Sequence, residues 1–280
     1  MTHDIARTLL QLNLKEESVV SIENLLSENI IGHMRPTIST SFEGLFRARK
    51  ITKVKSSDLH QITSIWYPNW QLIPVEDHVY NRCSDKGKNF FYSSNYLEAV
   101  IKELNPENGD RVLIGLFHPK FPGTKVRSQY AGIESLKSNP NYRSELATYK
   151  YASENDRKIE EVLSSKFQDI VSWAESFKYK LSIAFSNILL KNEDIECIIY
   201  PSVASNLKFV NYGIKPSFVD NHLYCHGIFQ YSVEKDSSGF TLTPEKFGVI
   251  EHNLEDQKNS KINWNDCSGQ DKAVIIKYSL

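Results

Sequence analysis

The run from Arg82 to Glu103 sets the tightest limits on the fold, because it reads as a turn, a short strand and a helix in immediate succession. Asp85, Gly87 and Asn89 mark the turn, and Asn89-Phe90-Phe91-Tyr92 is aromatic and strand-like. Asn95 followed by Glu98 fits an N-cap with its capping-box partner. Leu97, Val100, Ile101 and Leu104 recur at helical spacing, and Asn105-Pro106 ends the helix. Glu103 then falls in the last helical turn, where the helix dipole favours cations over carboxylates. The ordinary explanation for such a residue is a solvated carboxylate. Likewise, Arg82 alone reads as a surface or ion-pair arginine, and Tyr92 alone as a strand aromatic.

Around this unit the chain alternates helical and strand-like patterns. Ile5, Leu9, Leu10 and Leu12 form one apolar helical face, and Val19, Ile22, Leu25, Leu26 and Ile30 form a second. These suit a helical hairpin packed on the main domain, with a dimer or partner contact as the sharper alternative. Thr37 to Phe42 is extended and leads into a strand at Leu45–Ile51, where Arg47 and Arg49 share one face. Trp66, Pro68, Trp70 and Pro74 make a rigid aromatic loop, fit either to wall a pocket or to cap a core edge. Arg111 to Phe117 reads as a buried strand, and Pro119 to Tyr151 as an irregular insertion. A single long helix is expected from about Asn155 to Leu190, turning into a strand at Ile198-Ile199-Tyr200. Further strands are expected at Leu223–Val233, Phe240–Leu242, Phe247–Ile250 and Ala273–Tyr278, with Leu254–Asp271 as loop.

Composition excludes some classes. A length of 280 residues is enough for a full core, and 33 Lys+Arg against 34 Asp+Glu leaves a net charge of −1. The basic footprint of a nucleic-acid binder is missing, and a near-zero net charge favours self-association into a homo-oligomer. Cys83, Cys197, Cys225 and Cys267 are too widely spaced for a metal site. His222 and His226 would pair as ligands only on a helix, and their neighbours read as strand. With no signal-like or membrane-spanning apolar run, a cytoplasmic protein with reduced thiols is expected.

Taken together, Arg82, Tyr92 and Glu103 resemble the opening motif of the RES family, with Ser93-Ser94 and Ala99 as its small residues. A second signature, an isoleucine-rich strand followed by Tyr-Pro-Ser, stands here as Ile198-Ile199-Tyr200-Pro201-Ser202. Asn211-Tyr212-Gly213-Ile214-Lys215-Pro216 with Val219-Asp220 is similar to the family's Asn-x-Ala-x-x-Pro segment before Val-Asp. Phe46-Arg47-Ala48-Arg49 matches its opening strand. The resemblance implies an α+β fold of ADP-ribosyltransferase type: a split, twisted sheet flanked by helices. Residues 1–40 would add N-terminal helices, 41–232 would be the catalytic domain with an insertion at about 119–151, and 233–280 would be a C-terminal strand extension on the same domain.

The resemblance also implies a function. Members are toxins of bacterial toxin–antitoxin pairs that degrade NAD, so NAD would be a substrate and not a cofactor, with a helix-turn-helix antitoxin as partner. Glu103 would stabilise the oxocarbenium-like centre formed when the nicotinamide–ribose bond breaks. Arg82, and with it Arg47, would bind phosphates or support Glu103 as an ion pair. Tyr92 and Ser202 would orient the nicotinamide end, and Arg49 and Asn211 would contact substrate. Water, inorganic phosphate or a macromolecule would each serve as acceptor, giving hydrolysis, phosphorolysis or ADP-ribosyl transfer; a binding module without turnover is the reading from another class. The chain departs from the pattern at Asn81, where members have glycine, and at Ser84, where they have asparagine. Losing the glycine removes backbone freedom at that turn, although asparagine is the next-best residue for a left-handed position, and Ser84 would weaken one polar contact.

Overall fold

The computed structural model describes residues 4–30, 37–51, 58–137, 139–147, 149–251, 256–267 and 274–277. The chain is mixed α+β, with two sheets packed between helices. The first sheet has the order β1 (Thr37–Ser41), β5 (Lys125–Tyr130), β6 (Cys197–Pro201), β7 (Val210–Ile214), β3 (Phe91–Ser93). Only β5 and β6 run parallel there. The second is antiparallel, in the order β10 (Ile262–Asp266), β9 (Gly239–Ile250), β8 (Leu223–Asp236), β4 (Arg111–Pro119), β2 (Leu45–Lys50), with β11 (Val274–Lys277) also on β9.

Among the described residues the sheets are joined by the bridge between Phe46 and Ser94. Phe46 N donates to Ser94 O at 2.7 Å, and Ser94 N donates to Phe46 O at 3.0 Å. Between the sheets lies the central core, spanned by Phe91 against Phe117, with ring centroids 4.8 Å apart. Strand alternation sends Ile199, Tyr212 and Ile214 into this core and Ile198 and Tyr200 to the opposite face. That opposite face is covered by α1 (Ile5–Gln11), α2 (Val19–Asn29), α6 (Glu154–Lys166) and α7 (Lys180–Leu190). The expected hydrophobic stripes do this packing: Ile5, Leu9, Ile22 and Leu26 are all buried there, whereas Leu10 is exposed. On the far side of the second sheet, α3 (Leu97–Leu104) lays Val100 and Ile101 on Val112, Ile114 and Leu242.

Several expectations change. The long helix is two helices separated by a non-helical stretch and a 310 segment, Trp173–Tyr179. The cause is visible at the break: Arg82 donates to the carbonyls of Phe167 and Asp169, which a continuous helix would need for its own ladder. Pro119 to Tyr151 is not irregular. It contains β5, α4 (Ile133–Lys137) and α5 (Pro140–Leu146), and β5 buries Val126, Ser128 and Tyr130 on alternate positions. Phe240–Leu242 and Phe247–Ile250 belong to one strand, β9, paired with β8 across a bulge. Within the expected loop at Leu254–Asp271, residues 256–267 hold β10, pinned by buried Ile262 and by Trp264 Nε1 donating to Leu59 O at 2.9 Å; the rest of that loop lies outside the described residues, as do Ala273 and Tyr278. Asn95 is not the N-cap of α3. Tyr96 holds that position without a side-chain cap, and Glu98 pairs instead with Lys102 at 2.8 Å. His222 ends α8 (Pro216–His222), while His226 lies in β8. The aromatic loop caps the core: Trp66 is buried edge-on against Phe117, and neither it nor Pro68, Trp70 or Pro74 lines the cavity beside Glu103.

Candidate functional site

Three elements meet at Glu103. It stands in the last turn of α3, which Asn105 closes by taking a left-handed conformation, φ 43°. β6 and β7 pair Tyr200 with Asn211, which puts both side chains on one face. Ser202 follows β6 directly and lies on the same face, its N–H donating to Phe209 O at 3.0 Å. Glu103 Oε1 accepts from Ser202 Oγ at 2.8 Å and from Asn211 Nδ2 at 2.9 Å. No hydrogen bond to Oε2 is made among the described residues, and Glu103 is exposed. One oxygen is fixed by two neutral donors while its twin faces the cleft.

That cleft is a cavity of about 370 Å³, within the range of small-molecule sites. Of the expected residues, Arg47, Arg82, Tyr92, Glu103 and Asn211 line it. Ser202 does not; it is fully buried and holds Glu103 from behind, away from the cleft. Arg49 also stays away. It is exposed and donates to Ser64 O at 3.1 Å, outside this cavity. A second cavity of about 400 Å³ shares Arg82, Glu103 and Tyr179 with the first.

The two arginines are anchored to main chain. Arg82 is buried, gives Nη2 to Asp169 O at 3.2 Å and Nη1 to Phe167 O, and lies over the rings of Tyr179 and Tyr200 at 5.2 and 5.9 Å. Arg82 and Glu103 form no ion pair, because the guanidinium is turned to these carbonyls. Arg47 donates through Nε to Ile65 O and through Nη1 to Tyr92 O, both at 2.9 Å. Burial, helped by the neighbouring charge of Arg49, lowers its pKa to about 10, so Arg47 remains a cation at neutral pH.

Tyr92 supports the arginine turn. Its hydroxyl accepts from Cys83 N at 3.2 Å and shares a hydrogen bond with Ser84 Oγ at 2.9 Å. Burial, with the nearby Cys83 thiol, pushes the phenol far above its usual pKa, so it is neutral. Ser84 therefore makes a polar contact of its own at the position where asparagine was expected. Asn81 is not among the residues with positive φ; it closes a tight bridge with Ser84 instead. The turn packs closely on β7 because Gly213 has no side chain: a Cβ there would stand 3.2 Å from the Phe90 ring and 3.6 Å from Cys83 Cβ.

Sequence reasoning gave no role to Asn81, Tyr179 or Tyr200, which also line the cavity. Tyr200 could have been found from its place in the strand face with Ser202, but Tyr179 lay inside an assumed helix and carried no signal. Among the described residues no three of His, Cys, Asp and Glu come together as metal ligands, and no helix is long and apolar enough to cross a membrane. In sequence, no protein-family model and no curated protein matches the chain. Chemically, the arrangement offers one oriented carboxylate beside fixed cations and aromatic rings, a set able to stabilise a developing positive charge on a bound molecule.

Proposed function

We propose that this protein is a RES-type enzyme that cleaves NAD at the bond between nicotinamide and ribose, and that it acts as a toxin restrained by a helix-turn-helix antitoxin. The observation that carries this reading is Glu103, with Oε1 held by Ser202 and Asn211 and Oε2 open to a cleft that also presents Arg82 and Arg47. As the C1′–N bond breaks, its electron pair leaves on the nicotinamide nitrogen and positive charge grows at C1′. A carboxylate oxygen already in position stabilises that charge without reorganising. Water or phosphate then adds at C1′ and gives up a proton. Two sheets joined at the Phe46–Ser94 bridge, with the cleft lined by the strands flanking that bridge, support the ADP-ribosyltransferase-like form of the fold.

The test is NAD consumption by purified protein, with and without phosphate, beside Glu103→Gln. Loss of a carboxylate acting in the transition state costs about 3 kcal/mol, on the order of a hundredfold in rate. Rapid consumption by the wild type and a hundredfold loss in the variant are expected, and phosphate dependence names the acceptor. Equal rates in both folded proteins would remove Glu103 from the chemistry. Label transferred from NAD to a macromolecule would make the reaction ADP-ribosylation.

A further inference from the structure

The stretch between α6 and α7 is anchored at both ends and weakly held between them. At its start Arg82 takes the carbonyls of Phe167 and Asp169. At its end Ser182 Oγ donates to Tyr179 O at 2.9 Å, and Lys180 Nζ donates to Glu17 O at 2.6 Å. Among the described residues, no side chain from Ile170 to Lys178 hydrogen-bonds outside the stretch: Glu175 takes Ser172 Oγ at 3.2 Å and Lys178 Nζ at 2.5 Å. Trp173–Tyr179 contains no buried residue, and Glu175 interrupts its helical geometry at φ −107°, ψ 15°. Ile170, Val171, Trp173 and Phe177 stand outside the buried core clusters, and Ile170 and Trp173 are 87 % and 69 % exposed. Few buried contacts and purely local hydrogen bonds mark a segment that opens and closes at low cost.

The same stretch borders the candidate site. Ile170 and Val171 line the second cavity together with Glu103, and its other walls include apolar Val203, Ala204 and Phe240 beside polar Lys102 and Asn105. Tyr179, at the far anchor, lines both cavities and lies under the Arg82 guanidinium at 5.2 Å. Resting on the cleavage reading above, we propose that Ile170–Lys178 is a lid, hinged at Asp169 and Tyr179, that closes over Glu103 when NAD occupies the cleft. Closure takes Ile170 and Trp173 out of water, and the apolar surface they leave exposed in the open form is the driving force. NAD shifts the balance because a filled cleft gives the lid contacts that an empty one does not. The closed lid keeps bulk water from the carboxylate while charge develops at C1′.

The experiment uses Glu103→Gln, which under the cleavage reading holds NAD without rapid turnover, at NAD concentrations above the wild-type KM. Two signals are followed: tryptic cutting after Lys178, identified by mass spectrometry, and the emission of Trp173, isolated by subtracting the same protein carrying Trp173→Phe. NAD is expected to slow the cutting about tenfold, because proteolysis follows the open population. It should also move Trp173 emission to shorter wavelength as the indole leaves water. Cutting and emission unchanged by NAD, in a protein whose wild type cleaves it, overturn the lid and leave the cleavage reading standing. Emission that shifts with protein concentration and not with NAD assigns Ile170 and Trp173 to contact with a second copy, and likewise overturns the lid. A folded wild type that does not cleave NAD overturns both.

Discussion

Ser202 lies beneath Glu103 and donates to its Oε1 at 2.8 Å, although 99 positions separate the two in sequence. Asn211 completes the pair of donors at 2.9 Å. A hydrogen bond to a charged group contributes about 1.5–3 kcal/mol. If the orientation of Glu103 matters for turnover, Ser202→Ala and Asn211→Ala should each lower kcat about tenfold to a hundredfold with little change in KM. Asn211→Asp should do worse than alanine, because it sets a second carboxylate at hydrogen-bonding distance from the first. Steady-state NAD turnover on folded variants decides this, and wild-type kcat in both alanine variants would show that anchoring Oε1 is dispensable.

Tyr92 offers a sharper distinction, between supporting the site and touching substrate. Its hydroxyl is occupied by Cys83 N and Ser84 Oγ in the turn that carries Arg82. Tyr92→Phe keeps the ring but removes that acceptor, so stability should fall by about 1 kcal/mol and turnover several-fold. Urea unfolding and NAD turnover, measured on the same preparation, separate the roles. A large loss of turnover with unchanged stability would mean that the hydroxyl serves the substrate directly.

How much of this was legible follows from the range of the interactions. The strand and helix around Tyr92 and Glu103 are local, so turn residues and apolar spacing were enough to find them. The role of Ser202 was not, because its hydroxyl points at a carboxylate brought in by a different element, and sequence spacing does not tell a residue in the cleft from one behind it. The break between α6 and α7 was hidden for a related reason: it depends on a distant arginine taking two helix carbonyls. β5 was missed because Lys125, Arg127 and Gln129 give it a polar outer edge, and β10 because Asn263, Asn265 and Asp266 outnumber its apolar residues.

Asp220 belongs to the same motif region as Asn211 but serves the core. Its carboxylate accepts from Trp66 Nε1 at 2.9 Å and from Tyr67 OH at 2.5 Å, and Lys258 approaches at 3.3 Å. Asp220→Ala leaves the donors of two buried aromatic residues without an acceptor, at a cost of about 1–3 kcal/mol for each unsatisfied group. Thermal or urea unfolding should show that loss. NAD turnover per folded molecule should stay within about twofold of wild type, since Asp220 does not line the cleft. A selective loss of turnover at unchanged stability would place Asp220 in the site.

His118 supplies a pH dependence that can be worked out in sign. Partial burial lowers its pKa, the nearby His226 ring at 4.9 Å lowers it further, and the Glu43 main chain offsets part of the shift. The folded state therefore holds the His118 proton less tightly than the unfolded chain, where the pKa is about 6.5. Above that value both states are neutral and the full stability is present. As pH falls through about 6.5 the unfolded chain binds the proton first, and stability declines until the folded pKa is passed. His118→Gln removes this contribution but not those of the carboxylates. Urea midpoints at pH 8 and pH 5 should thus fall further in the wild type than in the variant; equal shifts would show that acid sensitivity arises elsewhere.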